Sequence, residues 1–285
     1  MWNFRRHILI LKHAEDCGAK HGGLITVLSK NLGLRYKVTT IKGVSDKLPP
    51  SDMIILHVDL TVVPDEYIQA VASHPLVINR NVKNISKRFY SELILEESSE
   101  YSGEVIVKTD ANFGGRNEFK IQGDKNKTQQ KEDWEFKEYL NDYPIYSNLK
   151  EVPNGVWKNP KLIVEKFLPE IDQNGNYLLR IWAFFGDQEI HYVNYSGEKV
   201  IKSWNKNGYQ MIPNEQIPIE LRKIREKMEI HYGKFDYVMK NGKPILYDVN
   251  KTPGGGRIKL NSDQITENIL TLTKGIKNSF KKSNV

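Results

Sequence analysis

The chain contains 285 residues, of which 39% are hydrophobic and 27% are charged. This composition excludes a globally disordered chain, and the length allows one large domain or a few small lobes. Lysine and arginine outnumber the acidic residues by 42 to 35, and the resulting net charge of +7 favours anionic partners: nucleotides, acidic metabolites or nucleic acid. The single cysteine, Cys17, excludes an intramolecular disulfide and a metal site built from cysteines.

No apolar stretch approaches the roughly 20 residues of a membrane-spanning helix. Residues 8–11 form an apolar segment after Arg5 and Arg6, but this segment is too short for a signal peptide and Lys12 follows it at once. The sequence therefore predicts a protein without membrane contact and a cytoplasmic location.

The first part of the chain alternates between strand-like and helix-like patterns. Residues 8–11 predict a strand, and apolar residues at helical spacing from Leu24 to Leu32 predict a helix that ends near Gly33. Further strands are predicted at 36–41, 53–58 and 76–78, and a helix is predicted to begin at Pro64. This alternation predicts a small, mainly parallel α/β layer.

The rest of the chain predicts mixed α and β structure. A helix is predicted at 86–96, strands at 105–108, 162–164 and 178–185, a glycine turn at 112–115 and a mobile polar loop at 122–133. A helical stripe runs from Leu221 to Tyr232 and ends at Gly233. Two strands, 235–240 and 244–249, flank the hairpin signal Asn241-Gly242, and a terminal helix carries an apolar stripe from Ile265 to Ile276.

The predicted hairpin carries the most informative polar residues. Asp248 and Asn250 are two positions apart on a strand, so both side chains point to one face. Oxygen ligands suit Mg²⁺, which takes few protein ligands and completes its octahedron with water and phosphate oxygens. The sequence therefore predicts a magnesium site on this strand.

The position of Asp236 relative to this site depends on the turn. A two-residue turn at Asn241-Gly242 with unbroken pairing places Asp236 opposite Tyr247, which puts the two aspartates on different faces. A three-residue turn that begins at Lys240 restores a common face with Asp248, and the sequence permits the left-handed glycine bulge that it needs. We predict the three-residue turn.

These residues resemble the ATP-grasp superfamily of ATP-dependent ligases. Its carboxylate–amine ligases, such as D-alanine–D-alanine ligase and the ribosomal-protein glutamate ligases, have an acidic residue, a hairpin, an acid-x-Asn motif and a Pro-Gly turn. Asp236, Asp248 and Asn250 match the three magnesium ligands of that pattern, and Thr252-Pro253-Gly254 matches the turn. The resemblance spans residues 75–257.

The resemblance continues upstream in the order of the family. Lys87 is similar to the first lysine that contacts the phosphates and Lys108 to the second, while Gly114 and Gly115 are similar to the glycine loop that closes over the phosphates. The hinge whose backbone groups read the adenine edge is implied at Glu165, Lys166, Phe167 and Leu168.

Four further roles are implied by the resemblance. They are a contact to the phosphates or the acyl intermediate for Arg180, a γ-phosphate contact for Lys202 or alternatively Lys199, binding of the acid substrate for Arg257, and a ribose contact for Asp172 or alternatively Glu170.

The polar segment 12–23 follows the first strand and ends in two glycines before a helix. A loop at the carboxyl end of a strand is a place where small molecules bind. His13, His21 and Asp16 also permit a metal site, but solvated loop side chains are the interpretation that we prefer. Cys17 has no base partner in the sequence, so we expect it to be inert.

The resemblance implies an α/β protein with α+β lobes and the ATP-grasp fold. It implies a small N-terminal parallel α/β lobe at 1–84, a central lid lobe at 85–165 and a C-terminal lobe with the metal site at 166–285. It also implies an enzyme that uses ATP and Mg²⁺. A small-molecule or peptide carboxylate would attack the γ-phosphate to form an acyl phosphate, and an amine, or less readily a thiol, would then displace phosphate.

Three alternatives stay open at this point. The first is an ATP-dependent small-molecule kinase on the same scaffold, and the second is a nucleotide-binding protein without turnover. The third, a basic nucleic-acid-binding protein, is disfavoured because the sequence lacks a base-stacking aromatic cluster. The oligomeric state and the substrates are also open, since substrate selection is expected in loops at 12–23, 58–64 and 195–215.

Overall fold

A computed structural model describes residues 5–16, 23–122, 133–254 and 263–282. Its N-terminal sheet is built from β1 (His7–Lys12), α1 (Leu24–Leu32), β2 (Lys37–Lys42), β3 (Met53–Leu56), α2 (Asp65–Val71) and β4 (Val77–Ile78). All pairs in this sheet are parallel, in the order β2-β1-β3-β4. The apolar runs of β1 and β3 are buried on both faces, as parallel sheets require, so these elements lie where the sequence predicts them.

The central sheet is antiparallel. Its segment contains α3 (Lys87–Tyr90), β5 (Ile94–Leu95), β6 (Val105–Thr109), α4 (Arg116–Gln122), β7 (Ile145–Tyr146), α5 (Asn154–Lys158) and β8 (Leu162–Lys166). The strand order is β5-β8-β6-β7. The helix predicted over 86–96 is wrong, because only 87–90 is helical. Ser91 leaves the helix with extended backbone, and Leu95 is buried where β5 pairs with β8.

The C-terminal sheet is also antiparallel. Its segment contains β9 (Glu170–Ile171), β10 (Tyr177–Phe185), β11 (Gln188–Ser196), β12 (Gly208–Met211), α6 (Ile219–Lys227), β13 (Tyr232–Lys240) and β14 (Lys243–Asn250), followed by α7 (Asp263–Lys282). The strand order is β12-β11-β10-β13-β14, and β9 pairs with β10. Tyr232, predicted in a helix, begins β13 instead, because Glu229 adopts a φ of 52° after α6 ends.

Apolar packing and hydrogen bonds join the N-terminal and C-terminal sheets. Leu28 of α1 and Ile276 of α7 lie in one buried apolar cluster with Phe185 of β10. The buried side chain of Asn79 donates to the Tyr232 carbonyl at 2.7 Å and accepts from the Tyr232 N–H at 3.0 Å. The N-terminal sheet is therefore anchored at the start of β13, four residues before Asp236.

The parallel and antiparallel sheets with their helices confirm the predicted α/β class with α+β parts. The strands of the three sheets occupy residues 7–78, 94–166 and 170–250, and the division into lobes at 84 and 165 stays a prediction. Residues 123–132 of the predicted mobile loop lie outside the described residues. Within the described ranges, no helix combines the length and the apolar content needed to cross a membrane.

Candidate active site

The two aspartates of the β13–β14 hairpin lie directly opposite each other. Asp236 pairs with Asp248 in the strand register, and Asn250 follows two positions later on β14. The turn contains only Asn241 and Gly242, with φ angles of 51° and 76°. The predicted three-residue turn is therefore wrong. Asn-Gly is the residue pair that a left-handed two-residue hairpin turn favours.

A β-bulge, and not the turn, brings the aspartates to a common face. Tyr237 pairs with Leu246, whereas Asp236 pairs with Asp248, so Tyr247 is an extra residue in β14. One extra residue shifts the alternation of side chains by one position. The common face that we predicted is reached through a different irregularity of the hairpin.

The aspartates face a cavity of about 590 Å³. Ile181 of β10 pairs with Asp236 and lies in the same row of the C-terminal sheet, where it also lines the cavity. Ile106 and Lys108 of β6 line it from the central sheet. The site thus lies between side chains of these two sheets.

Both predicted phosphate lysines are buried and line this cavity. The Lys87 Nζ lies 3.5 Å from Asp248 Oδ1 and donates to the Ala111 carbonyl at 3.1 Å. The Lys108 Nζ lies 2.7 Å from Glu165 Oε2. Buried ammonium groups with few partners favour a bound anion, because burial has removed most of their hydration. The structure brings Lys87 and Lys108 to the same site as the aspartates.

Lys234 is a further cation of the hairpin, and our sequence reasoning missed it. Its Nζ lies 2.7 Å from each carboxylate oxygen of Asp236, and the residue pairs with Asn250. Burial lowers the pKa of Lys234, but the charges of Asp236 and Asp248 outweigh this effect and hold the pKa above its usual value. Lys234 and Asp236 are two positions apart on β13, as Asp248 and Asn250 are on β14, so each pair points to one face of its strand. The same spacing rule that identified Asp248 and Asn250 in the sequence therefore also indicates Lys234.

The chemistry of the donor set fits a divalent cation. Burial raises the pKa of Asp236, Lys234 opposes this shift, and the facing Asp248 adds to it. Two carboxylates that face each other repel, and a hard cation between oxygen ligands removes that repulsion. In the part of the chain that the structure describes, no group of three or more His, Cys, Asp or Glu side chains is arranged for a metal. The candidate site therefore depends on two carboxylates and the amide of Asn250.

The amide of Asn250 is held by Thr252. Its side-chain oxygen accepts from the Thr252 N–H at 2.8 Å and lies 3.3 Å from the Thr252 hydroxyl. That hydroxyl has one proton and lies closer to Asp59, at 2.5 Å, so it donates there. The Asn250 oxygen keeps one lone pair for a metal or a ligand.

Glu165, the first residue of the predicted hinge, does not line the cavity, and its side chain contacts other residues of the protein instead. Glu165 is buried, its carboxylate pairs with Lys108, and it accepts from the Ser91 hydroxyl at 2.6 Å. Its side chain therefore holds the second lysine in position.

The remaining hinge residues are Lys166, which ends β8, and Phe167 and Leu168, which follow it. The N–H groups of Lys166 and Phe167 donate to backbone carbonyls, so neither of them faces a ligand. Phe167 is buried and lines the cavity. The Leu168 carbonyl accepts from the Tyr247 hydroxyl at 2.7 Å, whereas among the described residues its N–H has no acceptor.

Gly114 and Gly115 are required by packing. Both have left-handed backbone, with φ of 67° and 75°, and a Cβ at Gly114 would lie 2.3 Å from the Leu140 carbonyl oxygen. The flanking residues Phe113 and Arg116 line the cavity, whereas the two glycines do not. The role of the glycines over the phosphates stays a prediction.

Arg180 lies on the opposite face of the C-terminal sheet from the aspartates. It pairs with Tyr237, while its neighbour Ile181 pairs with Asp236. Its guanidinium donates to both oxygens of Glu170 at 2.6 to 3.1 Å, and this carboxylate raises the pKa of Arg180. Strand alternation therefore turns the predicted phosphate contact away from the cavity, and the alternative ribose residue Glu170 is bound to it.

Asp172 does not reach the cavity either. It is the acceptor of a turn before β10, with hydrogen bonds from the N–H groups of Asn174 and Asn176 and from the Asn176 side chain. The bonds from Asn176 are the main reason that its pKa is lowered. The ribose contact predicted for Asp172 is not supported by this placement. Arg257, predicted to bind the acid, lies outside the described residues.

Lys202 and Lys199 line the cavity from the β11–β12 connection. The Lys202 Nζ lies 2.5 Å from Asp142 Oδ1 and 5.4 Å from the centre of the Tyr143 ring. Lys199 forms an ion pair with Glu104. Both partners belong to the segment of the central sheet, so these lysines link the β11–β12 connection to that segment beside the cavity. The γ-phosphate contact assigned to them stays a prediction.

Comparisons with known proteins give a match by structure alone. No protein-family model matches the sequence, and no curated protein matches it. A RiPP-associated ATP-grasp ligase from Chryseobacterium gregarium, solved with ADP and a leader and core peptide, is 8% identical with a TM-score of 0.58, covering 96% of this chain and 97% of that chain. The macrocyclase MdnC from Microcystis aeruginosa, bound with the precursor peptide MdnA, is 11% identical with a TM-score of 0.55, covering 95% and 99%.

A RimK domain ATP-grasp protein from Sphaerobacter thermophilus is also similar. It is 8% identical with a TM-score of 0.52, and the match covers 96% of this chain and 99% of that chain. At such identities the likeness establishes the fold. The chain has the ATP-grasp fold that the sequence resemblance implied.

Proposed function

We propose that this protein is an ATP-dependent carboxylate–amine ligase that acts through an acyl phosphate. The observation that carries the proposal is the convergence of the facing carboxylates Asp236 and Asp248 with the ammonium groups of Lys87, Lys108 and Lys234 on one cavity. Oxygen ligands for a divalent cation beside buried cations are what the triphosphate of ATP needs.

The apolar end of the cavity would take the adenine. Phe167, Leu179 and Val238 are apolar residues of the lining, and Leu168, whose N–H has no acceptor among the described residues, follows Phe167 in the chain. A free N–H next to an apolar slot suits the ring-nitrogen acceptor of a purine, whose faces pack against hydrocarbon. This arrangement supports the hinge role that the resemblance implied for the segment.

The polar end of the cavity would take the phosphates. Lys87, Lys108 and Lys234 would neutralise negative charge as the γ-phosphoryl group is transferred. Asp236, Asp248 and Asn250 would hold Mg²⁺, which would supply positive charge to offset the negative charge of the phosphates. In this proposal Lys234 is the third cation, a role for which the sequence suggested Lys202 or Lys199.

The reaction would proceed in two displacements. An oxygen of the substrate carboxylate attacks the γ-phosphorus, the bond to the β-phosphate oxygen breaks, and ADP leaves. The amine nitrogen then attacks the carbonyl carbon, the carbon–oxygen bond to phosphate breaks, and the amine loses a proton. The ion pairs of Lys199 and Lys202 beside the cavity would restrict the access of water, which otherwise hydrolyses an acyl phosphate.

A small-molecule or peptide carboxylate and an amine are the proposed substrates. The solved neighbours that contain leader, core or precursor peptides support a peptide among them. The use of ATP is consistent with the cytoplasmic location that the sequence predicts. A kinase on the same scaffold would use the same ATP machinery but would stop after the first displacement.

Hydroxylamine trapping tests the proposal. A panel of amino acids and acidic peptides is incubated with the protein, MgATP and hydroxylamine, which replaces the amine and converts an acyl phosphate into a hydroxamate. A ligase gives hydroxamate and ADP in equal amounts with at least one acid. A phosphorylated hydroxyl compound without hydroxamate would indicate the kinase, and MgATP binding without ADP would indicate the protein without turnover.

Replacing Arg180 with methionine should leave this activity within about threefold of wild type, because the residue lies on the far face of the sheet. The change should lower the free energy of unfolding by about 1 to 3 kcal/mol, since Glu170 loses the cation that neutralises it. Urea unfolding and initial rates of ADP formation measure both effects. A loss of activity beyond about a hundredfold in a folded variant would restore Arg180 to the site.

A further inference from the structure

We infer that Tyr247 is a positioning residue that fixes the base end of the proposed ATP site relative to its metal end. The inference rests on the proposed function, because it assigns a task within the same cavity. Tyr247 binds two groups at once, the hinge carbonyl of Leu168 through its hydroxyl and the ammonium of Lys108 through its ring.

The bulge explains why this side chain reaches the cavity. As the extra residue of β14, Tyr247 has no partner on β13, and it lies next to Asp248 in the chain. Regular alternation would turn neighbouring residues to opposite faces, but both Tyr247 and Asp248 line the cavity. A bulge redirects a side chain in this way, and bulges are frequent beside active sites.

The hydroxyl of Tyr247 acts on the hinge. It donates to the Leu168 carbonyl at 2.7 Å. A phenol is protonated at neutral pH and therefore acts as a donor to a carbonyl. The bond holds the peptide of Leu168 at one orientation, and the Leu168 N–H is the group that would meet the base.

The ring of Tyr247 acts on the phosphate end. The Lys108 Nζ lies 4.9 Å from the centre of the ring, within the range of a cation–π contact. The same ammonium pairs with Glu165 of β8, three residues before Leu168. The contacts therefore form a closed loop. They run from Leu168 to Tyr247, then to Lys108 and to Glu165, which the backbone connects back to Leu168.

The two contacts predict separable effects. Loss of the hydroxyl frees the hinge peptide but leaves the ring under Lys108, so it should weaken the binding of the base and not of the phosphates. Loss of the ring should in addition release Lys108, which would weaken the phosphate contact.

The experiment measures binding of MgATP and of Mg-tripolyphosphate, which has no base, by calorimetry. Tyr247→Phe should raise the Kd of MgATP about threefold to tenfold, the effect of one hydrogen bond, and leave the Kd of tripolyphosphate unchanged. Tyr247→Leu should raise the Kd of both ligands. The control is Tyr67→Phe, which removes another tyrosine hydroxyl with a hydrogen bond, from the Ala14 N–H in the N-terminal part.

Each outcome has one meaning. Unchanged MgATP binding by Tyr247→Phe, or equal weakening of both ligands, would overturn the positioning role and leave the proposed function intact. A purely structural role would lower the thermal midpoint without separating the two ligands, which also contradicts the inference. Wild-type protein that binds neither ligand would overturn the proposed function, and the inference with it.

Discussion

Replacing Asp248 with asparagine is expected to lower Mg²⁺-dependent ADP formation by at least about a hundredfold. Asp248 faces Asp236 across the hairpin and lies 3.5 Å from the Lys87 Nζ, so the change removes one of the two charges that would hold the metal. Loss of several kcal/mol of transition-state stabilisation corresponds to factors of this size. Asparagine has nearly the same volume, so the strand pairing should survive.

Calorimetry measures the cause of this loss directly. ATP is titrated into wild type and into the Asp248→Asn variant, with and without Mg²⁺. The wild type should bind more tightly when Mg²⁺ is present, and the variant should show no such gain. Asp172→Asn is the matched control because Asp172 only holds an exposed turn. A variant at position 248 that keeps the Mg²⁺ gain would refute the metal role of Asp248.

Most of the fold was predictable because its signals are local. The apolar runs of the N-terminal parallel sheet, the glycine after α1 and the Asn-Gly turn each determine one element without distant contacts. The ATP-grasp resemblance added the order of the site residues along the chain. The helix over 86–96 failed because the sequence carries helical spacing there, whereas Leu95 is buried by pairing with β8, a strand some 70 residues away.

The site could be predicted only as far as the side-chain alternation could be followed. Arg180 matches the family pattern, but one position on β10 separates the cavity face from the face that carries Glu170. Tyr247 is the opposite case, a residue that regular alternation would turn away from the cavity. The bulge in β14 turns it toward the cavity, and the residue types do not indicate that bulge. The prediction that Asp236 and Asp248 share a face was therefore correct, but the reason given for it, a three-residue turn, was wrong.

Replacing Lys234 with methionine is expected to have two opposite effects. ADP formation should fall about 10²- to 10³-fold, the usual cost of removing one charged group that stabilises a transition state. Binding of Mn²⁺ to the nucleotide-free protein should become about tenfold tighter. The Lys234 Nζ lies 2.7 Å from both oxygens of Asp236, so without nucleotide the ammonium occupies the place in which a metal would contact that carboxylate. Electron paramagnetic resonance of free Mn²⁺ measures the second effect without any turnover.

Two further variants identify the origin of these effects. Lys234→Arg keeps the charge and should keep the weak metal binding, with partial activity. Lys206→Met removes another cavity-lining lysine, whose amine donates to Asn194 at 3.3 Å and contacts neither aspartate, so Mn²⁺ affinity should stay at the wild-type value. If Lys234→Met binds Mn²⁺ no better than wild type, the ammonium does not compete with the metal, and its pairing with Asp236 has only a structural role. Tighter Mn²⁺ binding together with lost turnover would mean that Lys234 has two tasks. Its ammonium would balance the charge of Asp236 in the nucleotide-free protein, and it would give up that place when MgATP binds.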